Sequence, residues 1–235
     1  MKIIVTGASR GIGYELVRLL AKDPNSLIMA VSRNAEKLEE LRKDCLDEPG
    51  KVFIQPFDLE RLEDIPASLI PAVEEHFDQL DILVNNAGFL VNKPFEELSM
   101  EDFNRSLVVN YLAPVAMIRG VLPLLQKAAL SHVINISSMG GVQGSVKFPG
   151  LSSYSSSKAA LGVMTECLAE EFKESRIRFN TLALGSVQTE MLEEAFPGYK
   201  APVNPIEMAA LIKDFALNGH AYFNGKIIPV SLSTP

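Results

Sequence analysis

The feature that most constrains this chain is a series of short apolar runs, most of them unbroken, alternating with longer amphipathic stretches. The runs cover residues 3–5, 27–31, 52–54, 82–84, 133–136, 177–182 and 227–230. Because most are continuous rather than alternating with polar residues, both of their faces are expected to be covered, as in parallel strands inside a sheet. Between them the apolar residues recur at helical spacing. Ile12, Leu16, Leu19 and Leu20 mark a first helix that Asp23-Pro24-Asn25 stops. A second is predicted from Asn34, whose side chain can cap it, with Leu38, Leu41 and Leu46. A third is predicted over 61–77. A long one is predicted from Ser99 to about Lys127, with Glu101 and Asp102 favourable in its first turn and Pro114 and Pro123 bending or interrupting it. Another is predicted over about 153–174, with Leu161, Met164, Leu168 and Phe172 facing the core.

Strand followed by helix, repeated in this way, predicts an α/β doubly wound sheet of about seven mostly parallel strands with helices on both faces. Hydrophobic residues make up 47% of the chain, enough to cover both faces of such a sheet. No Ser/Gly/Pro linker, internal repeat or low-complexity tract divides it, so residues 1–235 are expected to form a single domain. A net charge of −7 argues against a nucleic-acid partner, where cations must neutralise phosphates. No run of about 18 apolar residues is present, so no membrane span is expected. Cys45 and Cys167 have neither metal-ligand nor disulfide spacing and are read as reduced thiols, no metal is expected, and a cytoplasmic setting fits. His76, His132 and His220 are scattered and suggest no chemistry.

The chemistry begins after the first strand, at Thr6-Gly7-Ala8-Ser9-Arg10-Gly11-Ile12-Gly13. Glycines let a backbone turn tightly and approach a pyrophosphate, and the N-terminus of the following helix offers free N–H groups and the positive end of its dipole. A glycine-rich turn without a ligand is the alternative, and the position between first strand and first helix weighs against it. At the end of strand two, Met29-Ala30-Val31-Ser32-Arg33-Asn34 carries no carboxylate to accept from a ribose 2′-OH. Arg33, Ser32 and Arg10 could instead hold a 2′-phosphate, which points to NADP(H) rather than NAD, unless both arginines are simply solvated.

Tyr154-Ser155-Ser156-Ser157-Lys158 places a phenol and an amine four residues apart, on one helical face with Cβ atoms about 5–6 Å apart. A phenol titrating near 10 is a poor acid or base at neutral pH, and bringing it to about 7 needs roughly 4 kcal/mol. A nearby ammonium and an oxidised nicotinamide would both act in that direction. Ser155, Ser156 and Ser157 are read as first-turn polar residues. Strand five ends in Ile136-Ser137-Ser138, delivering a hydroxyl to the carboxyl edge of the sheet where ligands bind. Strand alternation selects Ser138 over Ser137.

Taken in order, TGxxxGxG at Thr6–Gly13, Asn85-Asn86-Ala87-Gly88 after strand four, Ile136-Ser137-Ser138 and YxxxK at Tyr154–Lys158 resemble the short-chain dehydrogenase/reductase family over essentially the whole chain. The resemblance implies a Rossmann-like fold and hydride transfer between NADP(H) and a carbonyl or alcohol carbon. It implies Tyr154 as general acid/base, with Lys158 lowering its pKa and binding the nicotinamide ribose. Ser138 would orient the substrate oxygen, and Asn110 would hold a water linking Lys158 to solvent. The cofactor would be held by Gly7, Ser9, Arg10, Gly11, Ile12 and Gly13, then Ser32 and Arg33, the Asp58-Leu59 pair, and Asn86, Ala87 and Gly88. Tyr154 and Lys158 complete that surface with Gly185, Val187 and Thr189, where Thr189 would bond the carboxamide. Met139, Val142, Phe148, Leu151 and Met191 imply a substrate with an apolar body. Residues 190–203 are read as a lid.

Three departures from the family stand out. The interval from Ser138 to Tyr154 is long, Leu184-Gly185 replaces a Pro-Gly pair, and the C-terminal strand reads Ile228-Pro229-Val230-Ser231-Leu232-Ser233-Thr234-Pro235. The altered terminus disfavours the usual tetramer, leaving a homodimer through the long helices as the expected assembly. A nucleotide sensor, or an oligomer subunit of the same fold without turnover, is the alternative function.

Overall fold

The computed structural model of this chain describes residues 1–232. Every apolar run read from the sequence lies in a strand: β1 (Lys2–Thr6), β2 (Leu27–Ser32), β3 (Lys51–Pro56), β4 (Ile82–Asn85), β5 (Ser131–Ser138), β6 (Ile177–Leu184) and β7 (Lys226–Val230). They form one seven-stranded sheet in the order β3-β2-β1-β4-β5-β6-β7, with every pairing parallel. The chain steps outward from β1 through β2 to β3, then returns to lay β4 on the other side of β1. That reversal opens a crevice beyond the carboxyl ends of β1 and β4, the usual ligand position in a doubly wound sheet.

The helices are α1 (Gly11–Ala21), α2 (Ala35–Asp44), α3 (Ile70–Glu74), α4 (Met100–Leu107), α5 (Ala113–Lys127), α6 (Ser152–Glu171), α7 (Glu190–Ala195) and α8 (Pro205–Asn218). On one face of the sheet, Leu16 and Leu20 of α1 and Ile212 and Ala216 of α8 bury Ile3, Val5 and Ile134. On the other, Met117, Val121 and Leu125 of α5 pack with Leu83, Val133 and Phe179. The two layers explain why the strands are apolar on both sides.

Several helical expectations are corrected. Asn34 caps α2 by accepting from Lys37 N at 2.9 Å, but the helix ends at Asp44 and leaves Leu46 63% exposed. The helix expected over 61–77 starts at Ile65 with a wide π turn, Ile65–Leu69, before α3. Ser99 and Asp102 form the capping box of α4. A π turn, Val108–Leu112, then joins α4 to α5. Pro114 has no N–H to give the Asn110 carbonyl, which fits a locally widened ladder, whereas Pro123 sits inside α5 without ending it.

The resulting helical stretch Met100–Lys127 is long and apolar enough to cross a membrane by length and composition, with mean hydropathy 1.6. Asn110 and Arg119 interrupt the apolar run without breaking the helix, which is why the run itself looked too short. In this fold Met117, Ile118, Val121, Leu124 and Leu125 are buried.

α6 approaches the sheet with small residues. Leu161, Gly162, Thr165 and Ala169 are buried, whereas Met164, Leu168 and Phe172 are only partly covered. A Cβ on Gly162 would stand 2.9 Å from Ile227 Cδ1, so close packing on β7 accounts for the narrower stripe. The sequence reading omitted α8, although Asn204 and Glu207 make a capping box around Pro205 at its start.

Candidate active site

The glycine loop between β1 and α1 is built around close backbone approaches. Gly7 has φ of 68° and Gly11 of 57°, a region that side chains disfavour. A Cβ on Gly7 would lie 2.7 Å from Ala87 Cα, and one on Gly13 would lie 2.4 Å from the Gly7 carbonyl oxygen. Asn86 ties the loop down: its Nδ2 donates to the Thr6 and Gly7 carbonyls at 3.0 and 3.2 Å. The Asn86 and Ala87 N–H groups donate to Thr6 Oγ1. At the start of α1, Arg10 makes no side-chain capping bond and the first turn carries no acidic residue. No side-chain cap takes the N–H groups at the positive end of this helix, although Glu190 of α7 stands close to Gly11 and Glu194 is paired with Arg10; free donors of this kind are what a pyrophosphate fits.

A cavity of about 620 Å³ runs from this loop across the carboxyl edge of the sheet to Ser138, Tyr154 and Lys158. Nearly every predicted site residue lines it, including Ser9, Ile12, Asp58, Leu59, Gly88 and Val187. Two do not. Gly13 packs beneath the loop, and Asn110 is fully buried behind Gly88. Met139, Phe148, Leu151 and Met191 supply apolar lining as expected. Val142 does not, because it closes the short turn after β5 by donating to the Met139 carbonyl. The segment read as a lid contains α7, and Met191, Leu192, Phe196 and Tyr199 from it line the cavity.

Strand alternation separates the two serines at the end of β5. Ser137 Oγ is turned into the protein and donates to the Lys158 carbonyl at 2.8 Å. Ser138 accepts from Gly140 N at 3.2 Å, and it lines the cavity with Tyr154, near enough for its hydroxyl to act to lower the phenol's pKa. One turn along α6 from Tyr154, Lys158 is buried and donates from Nζ to the Ile136 carbonyl at 2.7 Å. Burial lowers the Lys158 pKa to about 8. Its Nζ stands 5.9 Å from the centre of the Tyr154 ring.

Tyr154 departs from expectation. Burial raises its pKa, and the Ser138 hydroxyl opposes the rise only in part. Within the protein alone, burial outweighs what lowers the phenol's pKa, with the Lys158 Nζ 5.9 Å from the ring centre and bonded to the Ile136 carbonyl. Asn110 is likewise committed: Oδ1 accepts from Phe89 N at 2.8 Å, and Nδ2 donates to Phe89 O at 2.8 Å and to Ser157 Oγ at 2.9 Å. Its side chain therefore anchors the strand-four loop.

The predicted phosphate ligands are present but paired. Arg10 Nη1 bonds Glu194 Oε1 of α7 at 2.6 Å, which raises the Arg10 pKa. Arg33 Nη1 bonds Glu60 Oε1 at 3.0 Å. Ser32 Oγ donates to Ser9 Oγ at 2.8 Å, linking β2 to the glycine loop. Lys37, which sequence reasoning missed, shares a polar recess with Arg10 and Arg33 and is paired with Glu40 at 2.7 Å. Its position in the first turn after the Asn34 cap was the available signal. Thr189 Oγ1 caps α7 by accepting from Leu192 N at 3.3 Å and keeps its own O–H to donate. Gly185 N donates to Val230 O at 2.8 Å, which closes β6 onto the last strand. The atypical C-terminal ending extends to Ser233-Thr234-Pro235, which lie outside the described residues.

Comparison with known proteins agrees with this layout. Residues 1–200 match the short chain dehydrogenase family. An uncharacterised oxidoreductase of Staphylococcus saprophyticus is 31% identical over 92% of this chain and 89% of its own. A fatty acyl-CoA reductase of Mycobacterium tuberculosis is 32% identical over 85% of this chain and 68% of its own. Among solved structures, the NADP complex of Pseudomonas aeruginosa RhlG superposes with a TM-score of 0.86 at 28% identity, covering 98% of this chain and 94% of that one.

Proposed function

This chain belongs to the short-chain dehydrogenase family and is an oxidoreductase of it, and from that premise we propose that it is NADP(H)-dependent and acts on a carbonyl or alcohol carbon. The observation that carries the reading is one continuous cavity with the glycine cradle and Arg33 at one end and Ser138, Tyr154 and Lys158 at the other. The NADP complex of the Pseudomonas structure supports the cofactor. So does the lack of any carboxylate at the end of β2.

When bound, the cofactor supplies or accepts the hydride. Gly7, Gly11 and the first turn of α1 hold its pyrophosphate, and Ser32, Arg33 and Arg10 hold the 2′-phosphate. Ser138 donates to the substrate oxygen and holds it beside the Tyr154 phenol. In the reductive direction Tyr154 gives its proton to that oxygen, and a phenol whose pKa is raised by burial keeps that proton at neutral pH. Lys158 stands beside the resulting phenolate, and its positive charge favours it. Met139, Phe148, Leu151 and Met191 exclude water and support a substrate with an apolar body, in keeping with the fatty acyl-CoA reductase name of one relative.

The test is a panel of aldehydes and ketones of increasing chain length, with NADPH consumption as the readout. Turnover that improves with chain length is expected. Tight NADPH binding with no turnover on any member would instead favour a nucleotide sensor.

A further inference from the structure

Glu60 lies two residues beyond Asp58 on the wall of the adenosine end of the cavity and is shared unequally between two arginines. Arg33 gives it a single bond, Nη1 to Oε1 at 3.0 Å. Arg105, reaching over from α4, gives it three: Nη2 to Oε1 at 2.9 Å, Nε to Oε1 at 3.1 Å and Nε to Oε2 at 3.2 Å. Arg105 is also held from a second side, with its guanidinium carbon 4.3 Å from the centre of the Phe89 ring. The Phe89 main chain is in turn fixed by Asn110. Arg105 is therefore anchored, whereas Arg33 is exposed and loosely tied.

The consequence follows from charge. When Arg33 turns its guanidinium toward a 2′-phosphate it gives up its single bond to Glu60 or shares its charge between the two anions, and the carboxylate then needs another cation. Arg105 is that cation. When Arg33 turns to a phosphate, Glu60 keeps its fork-like pairing with Arg105 and is not stranded. Glu60 also places a negative charge beside the position of an incoming dianion, and Arg105 offsets it. The three side chains together carry one positive charge, and the fate of that charge sets the attraction for the phosphate.

We propose that Glu60 and Arg105 are selectivity-determining positioning residues acting through Arg33: Glu60 competes with the cofactor 2′-phosphate for Arg33, and Arg105 holds that competition in check. This rests on the NADP(H) reading above. It extends that reading to two residues that no glycine-loop or strand-two motif contains.

The experiment measures dissociation constants for NADPH and NADH by nicotinamide fluorescence in the full-length protein, and follows their ratio. Glu60→Gln raises the local charge, so the preference for NADPH should increase about threefold or more. Arg105→Gln frees Glu60 to hold Arg33 alone, so the preference should fall by a similar factor. The double variant restores the original net charge and should return near the wild-type ratio. Arg105→Lys keeps the charge and should lie closer to wild type than Arg105→Gln. These differences should shrink at high salt. A merely structural role would weaken both nucleotides together and leave the ratio still. A lowered or unchanged ratio in Glu60→Gln, with the wild type still preferring NADPH, would overturn this pair alone. A wild-type preference for NADH would overturn the cofactor reading and the pair with it.

Discussion

The Lys158 ammonium donates to the Ile136 carbonyl across 2.7 Å, tying the centre of α6 to the strand that ends in Ser138. Ser137 closes the same junction from the other direction by donating to the Lys158 carbonyl at 2.8 Å. The phenol at Tyr154 and the hydroxyl at Ser138 are thus set on two elements cross-linked twice within a turn of both. Their relative position is fixed by the scaffold.

Burial of Lys158 has a measurable signature in pH. Its folded pKa is depressed to about 8, so between about 8 and about 10 the unfolded chain binds the proton that the folded chain has lost. Stability contributed by this group must therefore rise with pH through that window and be flat below it. The full swing is on the order of 3 kcal/mol. Urea unfolding of the wild type minus that of Lys158→Met, from pH 7 to 10, should show the rise. A difference independent of pH would contradict it.

Asn110→Leu should cost about 1–3 kcal/mol, because it removes the partners of the partly buried Phe89 N–H and C=O and leaves Ser157 Oγ only its bond to the Tyr154 carbonyl. Denaturant midpoints measure this directly. Because Phe89 lines the cavity, nucleotide affinity should fall as well.

At Gly13 the added methyl of Gly13→Ala would meet the Gly7 carbonyl oxygen at 2.4 Å and Asn86 Nδ2 at 2.5 Å. Relief requires the loop to open, at a cost of about 1–3 kcal/mol. A lowered Tm with weakened binding of both NADPH and NADH is expected. The same substitution at Gly144, where nothing lies within 4 Å of the new Cβ but φ is 82°, should strain the backbone locally and leave nucleotide binding unchanged.

Tyr154→Phe removes the transferable proton and leaves the ring. Turnover should be lost while NADPH affinity stays within about threefold, since the phosphate ligands lie at the other end of the cavity. Retained turnover would sink the assignment of Tyr154 as the acid/base.

Most of the strands were legible because a parallel strand buried on both faces tends to be a continuous apolar run, as residues 3–5 and 82–84 show. Ser138 was legible for a related reason: alternation along β5 turns Ser137 inward. The pairing of Arg33 with Glu60 was not, since it depends on β3 lying beside β2 and on α4 delivering Arg105 from a distant part of the chain. Nor was the direction of the Tyr154 pKa, which is set by desolvation when the fold buries the phenol. α8 is a different case. Asn204, Pro205 and Glu207 spell out its start in the sequence.

The most direct measurement is titration of the wild-type protein with NADPH and with NADH, following nicotinamide fluorescence. The account predicts NADPH bound at least about tenfold more tightly, roughly 1.4 kcal/mol, through Arg33, Ser32 and Arg10. Equal affinity or a preference for NADH would contradict the assignment of those residues to a 2′-phosphate, and failure to bind either would contradict the cofactor site itself.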